Sequence, residues 1–225
     1  RIPARLSTRA LLIAVLFAFA FNLVATQILN ASYADSQFPV PYQVAQLSFD
    51  HAKLKGWYGF LIEHGTMGTY LRTQHIDFIF IVSVFVLHLL ALLLIARLLP
   101  APSNGRRWME TAAVLSTLAP IADALENLVS YAMLAQPLDF SPGLALLYSS
   151  LAALKFGMFA FAYAAAVLGF AVALAMMLSR RLASIALSCA RSAATCPESV
   201  AVASARRPSW MSVSVQRTWR TVVSA

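Results

Sequence analysis

The chain has 225 residues, 60% of them apolar and only 12% charged, with a mean hydropathy of +0.72. Soluble domains are about 45–50% apolar and about 25% charged, so this composition excludes a water-soluble globular domain. A net charge of +8 would suit a nucleic-acid partner, but most of the arginines lie outside the apolar runs and no nucleic-acid motif accompanies them.

The first apolar run, residues 10–29, follows Arg1, Arg5 and Arg9. Ser32-Tyr33-Ala34 resembles a small-residue cleavage site, as a signal peptide would carry. The run is nearly long enough to cross about 30 Å of hydrocarbon, so a retained helix is the expectation. Asn22 and Gln27 are the expected interhelical hydrogen-bond partners on it. Asn30-Ala31-Ser32 has the form of a glycosylation sequon but lies too close to the membrane to be used. Residues 42–61 and 63–74 then mix polar residues with Trp57, Tyr58 and Tyr70. Aromatics of this kind settle at the headgroup level, which predicts one or two interfacial helices capping the outer face.

Span two is read over residues 76–99. Asp77 stands at its outer end, where an acid is favoured by the helix dipole, so it reads as a capping residue. His75 is its neighbour, and the His75–Asp77 spacing is weak evidence for a metal pair. His88 reads as a hydrogen-bonded core residue or a packing partner, and no paired-His haem site is signalled.

Span three, residues 110–135, carries the least expected residues of the chain. Asp123, Glu126 and Asn127 are three and four residues apart, so they share one helix face at hydrocarbon depth. Ionisable groups in that position are costly and by default point to function. Pro120 cannot donate to the carbonyl of Ser116 and should kink the helix beside them. Span four, residues 146–178, supplies Lys155 at a matching depth. Spans three and four are antiparallel neighbours across a short loop, so Lys155 is expected to pair with Glu126 or Asp123. One lysine cannot neutralise two carboxylates. The second needs a proton, Asn127, water or a cation.

Span four also bears small residues three or four apart: Ala153, Gly157, Ala160 and Ala164, and separately Ala165 with Gly169. Both sets read as helix-packing surfaces. Several phenylalanines, Phe156 and Phe159 among them, would face lipid or a partner subunit. From residue 182 the chain turns to Ser, Ala and Arg with no clear period, which predicts a disordered basic tail over 182–225. Its two cysteines, Cys189 and Cys196, match no zinc or redox spacing and read as free thiols.

Lys and Arg set the orientation. Arg1, Arg5 and Arg9, then Arg97, Arg106 and Arg107, and the seven arginines from Arg180 onward fall on one side; Lys53, Lys55 and Arg72 fall on the other. Both termini are therefore expected in the cytoplasm, in a plasma or inner membrane.

Residues 57–175 resemble a group of small bacterial four-helix membrane proteins of uncharacterised function. The resemblance rests on Gly65, Gly68 and Tyr70 leading to Asp77, then Pro120-x-x-Asp123-x-x-Glu126-Asn127, then Lys155 early in the last span. It implies that these polar residues act together, without supplying a reaction or a ligand.

The reading is an all-α, integral membrane four-helix bundle with interfacial helices in its first extramembrane loop. It comprises a basic flank (1–9), the transmembrane domain (10–181) and the tail (182–225). No hydrolase, P-loop, zinc or dinucleotide motif is present. The expected role is a non-enzymatic packing or complex-forming component without a cofactor or metal. Its partners would be the bilayer and other membrane subunits or further copies of the chain, with no nucleic acid. The alternative is a proton- or ion-linked carrier, or a membrane enzyme acting on a lipidic substrate through the polar cluster.

Overall fold

A computed structural model describes residues 7–194, all helix and short connections without a strand. Two compact units result, Arg1–Met176 and Met177–Ala225. The first contains every element discussed as a site.

Helix α1 (Thr8–Asp35) starts where Ser7 accepts a hydrogen bond from the Ala10 N–H at 3.1 Å, satisfying one of the helix's orphan donors. It runs along α4 (Met67–Leu98) and is tied to it at two polar points. Asn22 Nδ2 donates to Ser83 Oγ at 2.9 Å, and the hydroxyls of Ser32 and Thr73 lie 2.7 Å apart. Such contacts hold helices together where lipid gives no hydrophobic driving force. Gln27 does not join them. It lies on the exposed face, because its position is more than one residue off the Asn22–Ala25–Ser32 stripe.

Between α1 and α4 the chain folds into two short helices, α2 (Tyr42–Gln46) and α3 (His51–Glu63). Asp50 caps α3, accepting from the N–H groups of Ala52 and Lys53 at 2.9 and 3.2 Å. Those backbone donors, Lys53 first, hold its carboxyl below the usual carboxylate range. Phe49 just before it adopts φ 52°, a left-handed conformation that is costly for a bulky residue. Its N–H is secured by Ser149 Oγ at 3.1 Å, which fixes this turn to the last helix.

The second half of the expected interfacial segment is instead the start of α4. Gly65 (φ 68°) closes α3, and the Thr66 N–H returns to the Leu61 carbonyl at 2.9 Å. With the turn made, nothing in residues 67–75 stops a helix, so α4 begins at Met67 rather than at residue 76. The aromatic and apolar residues of α2 and α3, Tyr58 and Leu61 foremost, pack over Tyr70, Met133, Phe140 and Tyr148 and close one end of the bundle.

Span three is broken. Helix α5 (Asn104–Leu115) and α6 (Leu118–Leu134) meet at a turn over Ser116 and Thr117. Pro120 is the reason: in the first turn of α6 its missing N–H costs nothing, whereas within a continuous helix it would remove a bond and clash. The expected kink is therefore a full break. Pro120 is itself fully buried.

Helix α7 extends over Pro142–Ala194, and among the described residues four helical stretches are long and apolar enough to cross a membrane: Thr8–Asp35, Met67–Leu98, Asn104–Leu134 and Pro142–Ser192. The bundle of α1, α4, α5–α6 and α7 is the predicted all-α four-helix architecture. At the end away from α2 and α3, Leu92, Ala96, Met109, Ala113 and Ala165 form a second core.

In the second unit, α7 remains helical to Ala194, so residues 182–194 are not the irregular tail the composition suggested. No proline or glycine intervenes between Gly169 and Pro197, and Ala, Leu, Met, Ser and Arg all tolerate helix. The tail from 195 onward, with Cys196, lies outside the described residues; Cys189 is a free, exposed thiol.

Candidate functional site

Because α6 restarts after the break, Asp123, Glu126 and Asn127 project from one face of a fresh helix into the bundle. All three are buried, at 2%, 0% and 1% exposure, and Lys155 of α7 meets them at 3%. The Lys155 ammonium lies 2.7 Å from Asp123 Oδ1 and 2.5 Å from Glu126 Oε2. It bridges both acids rather than choosing one. Its charge also stands 5.3 Å from the centre of the Phe156 ring.

Asn127 turns to a third acid. Its Nδ2 donates to Asp77 Oδ2 at 2.7 Å. Asp77 is thus not a helix cap: α4 starts ten residues before it, at Met67, so Asp77 sits in the helix body and faces α6. The cluster holds three carboxylates and one ammonium. Lone charges at this depth cost several kcal/mol each, and the ion pair offsets that only in part.

His75 does not join. Two residues from Asp77 on a helix is more than half a turn, so its ring points outward, is exposed, and bonds the Leu71 carbonyl at 2.7 Å while packing 5.4 Å from Tyr131. Among the described residues no group of three His, Cys, Asp or Glu is placed to hold a metal ion. His88 is buried against Phe159 and Tyr163, with ring centres 5.6 and 5.1 Å away.

A cavity of about 300 Å³ adjoins the cluster, bounded by α1, α2, α4, α6 and α7. Asp77, Asp123 and Lys155 line it; Glu126 lies behind them. Its remaining wall is aromatic, with Tyr33, Tyr70, Phe80, Tyr148, Phe156 and Phe159 around the space. The exposed Asn30 and Tyr42 stand at its rim, on the α2 side. Two amide oxygens on the lining, Gln46 Oε1 and Gln74 Oε1, are buried and accept no hydrogen bond. Phe156 and Phe159, expected to face lipid or a partner, line this space instead.

Sequence reasoning found the four central residues and missed most of the wall. The signal was present. With α4 begun at Met67, Tyr70, Thr73, Gln74, Asp77, Phe80 and Val84 fall three or four residues apart on one stripe. Thr26, Leu29, Asn30 and Tyr33 do the same on α1.

No protein-family model matches the chain, and no curated protein or solved structure matches it. The fold and site therefore stand on their own physical terms.

Proposed function

We propose that this chain is a multi-pass membrane protein whose bundle binds a small, mainly apolar molecule in the cavity beside Asp77, Asp123 and Lys155. The cavity carries the reading. A purely structural cluster would be closed on all sides, whereas here two acids and the lysine border open space. Ligand sites are concave, largely apolar and set with a few convergent polar groups, typically about 300–1,000 Å³ in volume. This one is at the lower end, which suits a compact ligand.

The arginine distribution supports both termini being cytoplasmic, in a plasma or inner membrane. In that orientation the cavity occupies the outer half of the bilayer, since its wall comes from the last turns of α1 and the first half of α4 and α7. The arrangement fits a carrier, or an enzyme working on a substrate that enters from the outer leaflet, with the carboxylates as the charge- or proton-handling groups.

A cysteine at Val84, buried on the cavity wall, tests this. With Cys189 and Cys196 replaced by serine, Val84→Cys should react with a small membrane-impermeant thiol reagent. Leu128→Cys, on the exposed face of α6, should be shielded by lipid and stay unreacted. An inert Val84→Cys would remove the proposal.

A packing role within a complex is the second reading. Ala153, Gly157, Ala160 and Ala164 form an exposed small-residue stripe on α7 that another helix could approach closely. A stoichiometric partner co-purifying with the chain would favour it.

A further inference from the structure

We infer that the ligand of this cavity is a compact organic cation, an aryl- or alkylammonium whose N–H groups reach Asp77 and Gln74 and whose apolar part rests on the aromatic wall. The inference rests on the binding role proposed above and names the chemistry of what is bound.

Three observations converge. The first is charge: three acids surround one lysine, and that lysine is committed to Asp123 and Glu126. Asp77 is left with an amide donor, Asn127, and borders the open space. An anion would meet two carboxylates on the wall; a cation meets the acid that has no ammonium partner at bonding distance.

The second is hydrogen bonding. Gln74 is 9% exposed, one helical turn from Asp77, and its Oε1 accepts nothing. Gln46 Oε1 on α2 is in the same condition. Buried acceptors without donors cost free energy, and a ligand that donates to them recovers it. Both orphan atoms are acceptors, so the ligand they suit is rich in N–H donors.

The third is the wall. Tyrosine and phenylalanine rings present negative faces, which attract a cation and pack well on hydrocarbon. The wall and the two orphan acceptors are independent of the acidic cluster, and all three point to the same ligand class.

Isothermal titration of the full chain in neutral-lipid nanodiscs at pH 7 separates the outcomes. Three probes share one ring and differ in charge: 2-phenylethylammonium, 2-phenylethanol and phenylacetate. Saturable binding is expected for the ammonium, with the alcohol and the carboxylate about ten- to a hundredfold weaker. Asp77→Asn and Gln74→Leu should each weaken the ammonium by a larger factor than the alcohol, whose retained saturable binding also reports that the variants are folded. If the alcohol binds as well as the ammonium and Asp77→Asn changes nothing, the cationic assignment is overturned and the binding site survives. If phenylacetate binds best, the charge argument is overturned outright. If none of the three binds, the cationic assignment is overturned, and the accessibility of Val84→Cys then decides whether the cavity reading falls with it.

Discussion

At the scale of single residues, Lys155 is the position on which the site depends. Its ammonium is the partner of two buried carboxylates, and removing one side of a buried pair typically costs about 3–5 kcal/mol because the other side is left charged and dry. Lys155→Met should destabilise the protein by about that amount in thermal or denaturant unfolding in detergent. Adding Asp123→Asn and Glu126→Gln to the same chain should recover most of the loss, since the orphaned charges go with the lysine. A Lys155→Met protein as stable as the parent would show that the ion pair holds nothing together. Asp123, Glu126 and Lys155 were legible in sequence because charged residues at hydrocarbon depth are rare and the one-turn spacing fixes their common face. Asp77 was found but misassigned. Its partner Asn127 lies fifty residues away, and the apparent start of the apolar run hid the fact that the helix begins at Met67.

At the scale of elements, the two small-residue stripes of α7 separate sharply. Ala165 and Gly169 face Met109 and Ile95, and a Cβ added at Gly169 would lie 2.6 Å from Met109 Sδ, 2.8 Å from its Cε and 3.0 Å from Ile95 Cγ2. Met109 is itself buried, so its thioether end must repack within the core between α5 and α7. Gly169→Ala should cost about 1–3 kcal/mol by overpacking. Gly157 has nothing within 4 Å of such an atom, and Gly157→Ala should be neutral or stabilising by up to about 1 kcal/mol through helix propensity. Thermal unfolding of the two variants side by side checks both; equal effects would mean that α7 does not pack on α4 and α5 through Gly169. Sequence could place small residues four apart on a helix. It could not say which of two adjacent stripes has a neighbour, because that depends on how α5 and α6 are set by the break before Pro120. The break itself was foreseeable in place and underestimated in degree.

At the scale of the whole molecule, hydropathy and helix length gave the four-helix architecture almost directly, since only helices with internally paired backbones suit a membrane. What was not legible is the cavity. Its lining is drawn from α1, α2, α4, α6 and α7, at the end of the bundle that α2 and α3 close, and that closure includes the Gly65 turn and the Phe49–Ser149 bond. Neither is a periodic feature. The cavity gives the polar cluster an open side, and in the orientation proposed from the arginine pattern that side faces away from the termini. The most direct test is therefore the sidedness of access. A cysteine at Val84, in membranes of defined orientation, is challenged with an impermeant thiol reagent on one face at a time. Rapid modification from the face opposite the termini, with slow or no modification from the terminal face, is the predicted result. Equal inertness from both faces, or reaction only from the face that carries the termini, would contradict the account.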